Sequence, residues 1–335
     1  MRARTSLMEL ETLEAPIKIA QQLQQNNKSS LAAIIQKIKH FNPYDVMMVG
    51  RGSSDHAGVF AKYLIEIELG LATFSAAPSV TTVYHKRLKL NKTLVIVISQ
   101  SGRSPDIIQQ VEQCRHSGAL CIGLLNDTSA PLAEAVDYVI PLYAGAEYSV
   151  AATKSFMATL SALLQLVANW SDNRRLQQDL TKLPEQLQKT ISQKAQIHSA
   201  DLQHKQQLIV LGRGLSYAIA REIALKLKEV CSIQAEAFSS AEFLHGPAAL
   251  VNEHCLIVDI EVEDESFSFH QQVISELQAR GAIIVSLRQN NDDINPRLAP
   301  LLILQRFYLD IEKVARKSGI DPDNPEGLKK ITETL

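Results

Sequence analysis

Six consecutive residues leave little choice of architecture. Residues 93–98 read Thr-Leu-Val-Ile-Val-Ile and do not alternate between apolar and polar. A strand with two apolar faces must be covered on both sides, which predicts an interior strand of a parallel sheet flanked by helices. The run ends in Ser99-Gln100-Ser101-Gly102-Arg103-Ser104-Pro105, after which a helical pattern continues to His116. Further apolar strands read at 46–49, 119–123 and 138–140. The first runs into Gly50-Arg51-Gly52-Ser53-Ser54 and then a helix through Tyr63 and Ile67. Strands alternating with helices predict an α/β layer fold with right-handed crossovers.

The pattern then starts again. Residues 208–216, Leu-Ile-Val-Leu-Gly-Arg-Gly-Leu-Ser, repeat residues 46–54 at an offset of 162. The strand at 281–285 echoes that at 118–122 at an offset of 163. Two echoes at nearly one spacing argue for a duplicated domain, and the expected domains are 1–190 and 191–335. Between the copies, 153–170 reads as a long apolar helix. Residues 173–205 read as a polar connecting helix with Leu176, Leu180, Leu183 and Leu187 on one stripe. Ahead of the first copy, 6–39 predicts two amphipathic helices broken at Asn26-Asn27-Lys28-Ser29, with Ser29 or Ser30 as the second N-cap.

The copies differ where chemistry is expected. Pro105 suits a first helical position and Ser104 an N-cap. The helix start offers free N–H groups and partial positive charge, Gly102 lets backbone approach closely, and the hydroxyls add donors. Ser99, Gln100, Ser101 and Ser104 therefore read as a phosphate cup at the carboxyl edge of a parallel sheet, against the plainer reading of a capped turn. At the equivalent place the second copy carries Glu261-Val262-Glu263-Asp264-Glu265-Ser266, whose carboxylates repel an anion. One cup per chain is expected. Gly50-Arg51-Gly52 lacks the third glycine of a dinucleotide fingerprint. Beside the cup, Ser54 reads as a sugar contact.

Glu222, Lys226 and Glu229 fall on one helical face. Spacing alone favours a solvated ion-pair stripe of little energetic weight. His245 stands in a Leu-His-Gly-Pro turn, where exposure and a fixed backbone are expected. No HExxH or Cys/His cluster marks any histidine as a metal ligand.

The 335 residues suit two ordinary domains. With 46% apolar and 21% charged residues the chain reads as soluble, and a net charge of −2 gives no bulk field for nucleic acid or anionic lipid. Cys114, Cys121, Cys231 and Cys255 form no CxxC, and Cys231 and Cys255 read as core thiols. Met1-Arg2-Ala3-Arg4 mimics the start of a signal peptide, but Glu9, Glu11 and Glu14 interrupt any apolar region after it. No apolar run reaches membrane-spanning length. A cytoplasmic protein is expected.

The motifs Gly-Arg-Gly-Ser-Ser, Ser-Gln-Ser-Gly-x-Ser-x-Asp, Gly-Ala-Glu-x-x-Val-Ala-x-Thr-Lys, Leu-Lys-Glu and Ala-Glu-x-Phe-x-x-x-Glu-x-x-His-Gly-Pro occur here in order. A tail of the form Asp-x-Asp-x-Pro-x-x-Leu-x-Lys follows, from Asp321 to Lys330. In this the chain resembles the sugar isomerase (SIS) double-domain family over essentially 7–335, as in the isomerase half of glucosamine-6-phosphate synthase. The resemblance implies two tandem SIS domains, each a parallel sheet flanked by helices in a flavodoxin-like or Rossmann-like three-layer sandwich. It implies Ser99, Gln100, Ser101 and Ser104 as phosphate ligands, and Ser54 and the Val150 backbone as sugar contacts. Glu229 is implied as the base moving a proton between C1 and C2, and His245 as the ring-opening residue reaching a neighbouring subunit's site. Lys226 is implied as a charge stabiliser and Lys330 as the tail lysine that meets the open-chain carbonyl. A homodimer with shared sites, a sugar-phosphate substrate and no metal or organic cofactor follow from the same source.

Three departures shape the expected activity. Ala152 stands where the synthase has a serine, and Glu326 where its tail has an arginine. No glutaminase domain and no Cys at residue 2 are present, so ammonia release from glutamine is not expected. The same chemistry run in reverse is a deaminase, and the expectation is glucosamine 6-phosphate to fructose 6-phosphate plus ammonia. A fructosamine-6-phosphate deglycase and a galactosamine-6-phosphate deaminase are the neighbouring alternatives. A non-catalytic sugar-phosphate-sensing regulator is the alternative of another class; no helix-turn-helix is evident to support it.

Overall fold

The computed structural model describes residues 5–28, 31–203, 207–290, 294–328 and 330. Ser29 and Ser30, the expected caps, lie outside the described residues. The chain divides into two compact units. The first holds Ala15–Glu147 and Lys154–Pro184. The second holds the described part of Met1–Glu14, then Tyr148–Thr153 and Glu185–Lys330.

In the first unit, strands β1 (Asp45–Val49), β2 (Thr73–Ser75), β3 (Thr93–Ser99), β4 (Leu120–Leu125) and β5 (Tyr138–Pro141) form one parallel sheet in the order β2-β1-β3-β4-β5. The central strand is β3, buried at every position as its composition requires. Val95, Val97, Ile107, Val111 and Cys121 belong to the core between this sheet and the Pro105–His116 helix. The Lys154–Trp170 helix is apolar almost all round and accordingly buried. Within this unit Gln22 donates to the carbonyls of Leu142 and Ala158, at 2.8 and 2.9 Å.

In the second unit, β6 (Gln207–Gly212), β7 (Gln234–Ser239), β8 (Leu256–Glu261) and β9 (Ile283–Arg288) form a parallel sheet in the order β7-β6-β8-β9. The duplication survives at the level of register. Met47 faces Val95 in one sheet, and Ile209 faces Ile257 in the other. The turns after β1 and β6 repeat a close approach too. A Cβ on Gly50 would lie 2.8 Å from the Ser54 carbonyl carbon, and one on Gly212 would lie 2.5 Å from the Ser216 oxygen. The cores have diverged. Where the first copy carries apolar Val97 and Ile107, the second places Asp259 Oδ1 2.6 Å from His270 Nε2, both side chains buried.

One reading of the sequence changes. The connecting helix stops at Ile191 rather than 205. There Arg306 receives the chain, donating Nη1 to the carbonyls of Ile191 and Gln193 at 2.9 and 3.0 Å. The helix that carries Glu222, Lys226 and Glu229, Leu215–Cys231, ends on Ser232 in the left-handed region (φ 54°), and β7 begins at Gln234. As an edge strand with mixed burial, β7 carries little apolar signal. No helix among the described residues is long and apolar enough to cross a membrane.

Candidate functional site

The parallel register sets the ends of β1 and β3 side by side, with Val49 opposite Val97. The Gly50–Ser54 and Ser99–Pro105 turns therefore leave adjacent strands at one carboxyl edge, where α/β sheets bind ligands. A buried carboxylate fastens them together. Asp106, in the first turn of the Pro105–His116 helix, accepts from Arg51 Nε at 3.2 Å and Nη2 at 2.9 Å. Ser104 is the N-cap of that helix with Pro105 in its first turn, as expected, but its side chain makes no capping bond. The Ser99 hydroxyl accepts from Gly102 N at 3.0 Å, and Gly102 O accepts from Leu132 N at 3.1 Å. Gly102 adopts φ 63°, and a Cβ there would fall 2.6 Å from Ala130 Cβ, so only glycine suits this turn. Ser54 sits half-buried in the first turn of the Ser53–Leu69 helix. Among the predicted residues, the structure thus gathers Ser54, Ser99, Gln100, Ser101 and Ser104 on one edge.

The second unit carries a different chemistry. The Glu222, Lys226 and Glu229 stripe is not the solvated array that spacing alone suggested. Lys226 and Glu222 have side-chain exposures of 1% and 0%. Lys226 Nζ lies 3.2 Å from Glu222 Oε1 and 2.6 Å from Glu229 Oε2, and Tyr308 donates its hydroxyl to Glu222 at 3.4 Å. Burial alone would lower the Lys226 pKa. The Glu222 and Glu229 carboxylates more than offset it, and the ammonium is held well above its ordinary range. Glu229 differs from its neighbours: its side chain is 20% exposed, and it lines a cleft of 570 Å³ with Lys228, Ser232 and tail residues Asp321, Asn324 and Glu326. The arrangement is a partly solvated carboxylate on a permanently charged, buried lysine. A carboxylate so placed has the chemistry to pass a proton to or from a molecule in the cleft, and a neighbouring ammonium the charge to hold developing negative charge.

Val150 and Lys330 also belong to the second unit. Lys330 Nζ donates to the Ser149 carbonyl at 2.6 Å, and Val150 N donates to the Asp323 carbonyl at 3.1 Å. His245 occupies the exposed turn after the short Ser240–Phe243 helix, its N–H bonded to the Glu242 carbonyl at 3.0 Å. Its side chain makes no hydrogen bond to Glu229 among the described residues.

At the acidic loop of the second copy, the carboxylates are engaged locally. Asp264 accepts from Ser266 N and Oγ at 2.8 and 2.6 Å. The hydrogen bond from Arg297 is the main cause that lowers Glu265 to about 2. No group of three or more His, Cys, Asp or Glu among the described residues is arranged to hold a metal ion. Sequence reasoning missed Asp106, Tyr308, Asp323 and Glu11 as organisers of these turns. For Asp106 the signal was present, since a carboxylate two residues after an N-cap serine suits a helix start.

The SIS domain model matches residues 42–169 and 201–305. Glutamine–fructose-6-phosphate aminotransferase [isomerizing] of Sulfurisphaera tokodaii is 33% identical over 89% of this chain and 51% of its own. The chain spans about half the length of the curated relatives it matches. Among solved structures, a candidate phosphosugar isomerase of Silicibacter pomeroyi DSS-3 superposes with TM-score 0.88 at 34% identity, covering 95% of this chain and all of that one. The C-terminal domain of glucosamine-fructose-6-phosphate aminotransferase from Francisella tularensis gives TM-score 0.84 at 26% identity, covering 96% and 99%. With two matched segments, two parallel sheets and one repeated register, this chain belongs to the SIS domain family.

Proposed function

We propose that the chain is a sugar-phosphate aldose–ketose isomerase that deaminates an amino-sugar phosphate, glucosamine 6-phosphate being the favoured substrate. The observation that carries this is Glu229: a cleft-facing carboxylate 2.6 Å from a buried ammonium, a pairing built for proton transfer rather than for surface stability. The phosphate is assigned to Ser99, Gln100, Ser101 and Ser104, and the Ser104 hydroxyl, unused as a cap, supports that. Ser54 and the Val150 backbone are assigned to the sugar.

The steps balance without an oxidant or reductant. His245 moves the proton that opens the ring, leaving an aldehyde at C1 and the amine at C2. Glu229 removes the C2 proton, and the electron pair shifts toward the C1 oxygen, which Lys226 stabilises. The proton returns to C1, giving an imine at C2 and an alcohol at C1. Water adds at C2 and ammonia leaves, so one sugar phosphate and one water give one ketose phosphate and one ammonia. Lys330 is assigned to the open-chain carbonyl. Water is the solvent and ammonia is scarce, so for these residues acting alone mass action favours hydrolysis over amination. Imidazole and carboxylate are groups of suitable pKa for such transfers, and the rest of the site supplies position.

The test is a panel of glucosamine, galactosamine and fructosamine, each with and without the 6-phosphate, assayed for ammonia and ketose. Ammonia with fructose 6-phosphate from glucosamine 6-phosphate supports the reading. Preference for the galacto epimer or for the fructosamine adduct redirects it to one of those substrates. Equal turnover of the unphosphorylated sugar, or no loss in Ser101→Ala/Ser104→Ala, refutes the cup.

A further inference from the structure

We infer that Asp323 and Glu11 are positioning residues which together hold the Ser149–Val150 peptide in place; the inference rests on the function proposed above, in which that peptide contacts the sugar. The Leu7–Lys28 helix begins, like any helix, with N–H groups that have no intrahelical partner. Asp323, more than three hundred residues on, supplies a carboxylate to two of them: Leu7 N meets Oδ2 and Met8 N meets Oδ1, each at 2.8 Å. Ser6 Oγ takes the third, Glu9 N, at 3.1 Å. A carboxylate on a helix start is the favourable charge arrangement. With its side chain fixed there, Asp323 directs its carbonyl to Val150 N at 3.1 Å. Asp321 shapes the turn behind it, its carboxylate accepting from Asp323 N at 3.0 Å and from Asn324 Nδ2 at 3.2 Å.

One turn further along the same helix, buried Glu11 completes the arrangement. Its carboxylate accepts from Tyr148 N and, at 3.3 Å, from Ser149 N. Three consecutive amides, at 148, 149 and 150, are therefore held by two acidic residues, and the carbonyl between them is the perch of Lys330. Fixing three N–H groups in a row leaves the peptide no freedom to turn. A shift of the tail moves the Val150 contact and the lysine together. Displacement of a contact by about 1 Å costs on the order of 10²-fold in rate.

The experiment uses the full chain and the variants Asp323→Ala, Asp323→Asn and Glu11→Gln. Amide exchange is followed by mass spectrometry in peptides covering 5–12 and 145–152. Kinetics with glucosamine 6-phosphate and inhibition by inorganic phosphate are measured alongside. In Asp323→Ala, exchange rises in both peptides and kcat/KM falls by about 10²-fold, while inhibition by inorganic phosphate, which reports on the Ser99 loop, hardly changes. Asp323→Asn accepts one of the two N–H bonds and gives the same pattern in weaker form, which keeps the test open should the alanine variant not fold. Glu11→Gln loosens 145–152 alone. Unchanged exchange at 145–152 in both Asp323 variants overturns the inference, and so does raised exchange with unchanged kcat/KM. A general loss of fold would weaken phosphate inhibition as well. If the wild-type protein turns over no sugar phosphate, the proposed function fails and the exchange data alone decide whether the clamp exists.

Discussion

Replacing Lys226 by methionine takes an ammonium away from a buried carboxylate. Glu222 is fully buried, with Lys226 at 3.2 Å and the Tyr308 hydroxyl at 3.4 Å, and removal of the ammonium takes away the nearer of these two and its charge. Breaking a buried pair from one side typically costs about 3–5 kcal/mol, whereas replacing both partners by apolar groups is often neutral. The second contact, Lys226 to Glu229, adds less, because Glu229 is partly solvated and keeps water when the lysine goes. For a unit of this size each kcal/mol moves the melting midpoint by about 2–4 °C, so Lys226→Met lowers it by roughly 6–20 °C. Glu222→Leu/Lys226→Met recovers most of that loss. A buried carboxyl that loses a neighbouring ammonium is more readily protonated. The single variant is therefore penalised more at pH 7 than at pH 5, and the gap to the double variant narrows on acidification. Calorimetry at both pH values reads this directly. Both variants lose turnover, which separates the stabilising role of the pair from its chemical one. If the single variant melts no lower than the double, or the gap widens toward pH 5, the buried-pair argument is wrong.

Glu229→Gln keeps the shape and removes the base, so kcat falls by about 10²–10⁴-fold and C2 deuterium stops washing into solvent; near wild-type washout places the base elsewhere. Mixing Glu229→Gln with His245→Ala subunits, each inactive alone, restores activity if a homodimer shares its sites, and restores none if each site is built from one chain. Iodoacetamide at pH 8 labels half-buried Cys255 first. Burial raises Cys114 to about 11 and Cys231 to about 12, and raises Cys121 further still, so these thiols become thiolates only at higher pH and stay unlabelled until the fold opens. Labelling of Cys114 as fast as Cys255 in the native protein contradicts this.

The parallel architecture was legible because β3 is apolar on both faces and because two glycine turns recur at one offset. The Ser99–Pro105 turn was legible because its hydroxyls, its glycine and its proline adjoin in sequence. The buried state of Glu222 and Lys226 was not. Helical spacing places charges on a face without saying what packs over it, and the helix that supplies Tyr308 lies eighty residues away. Nor was the clamp on Val150 visible. Its partners, Glu11 and Asp323, come from opposite ends of the chain, and Glu11 reads locally as one of several acids on an amphipathic helix. Strand β7 escaped notice because an edge strand with mixed burial carries no clear apolar pattern.

The paired glycines at 50 and 212 bear on how this duplicated protein ages. Each turn excludes a side chain by the proximity of its own following helix, whatever is bound beyond it. A side chain is therefore excluded sterically at both glycines, although only one of the two edges carries a hydroxyl-rich turn. In a deep mutational scan the two positions would be equally intolerant, while Ser99–Ser104 and Glu261–Ser266 would part company. A glycine motif in a repeat thus records the sterics of the turn, and the neighbouring loop is free to take a different chemistry in each copy.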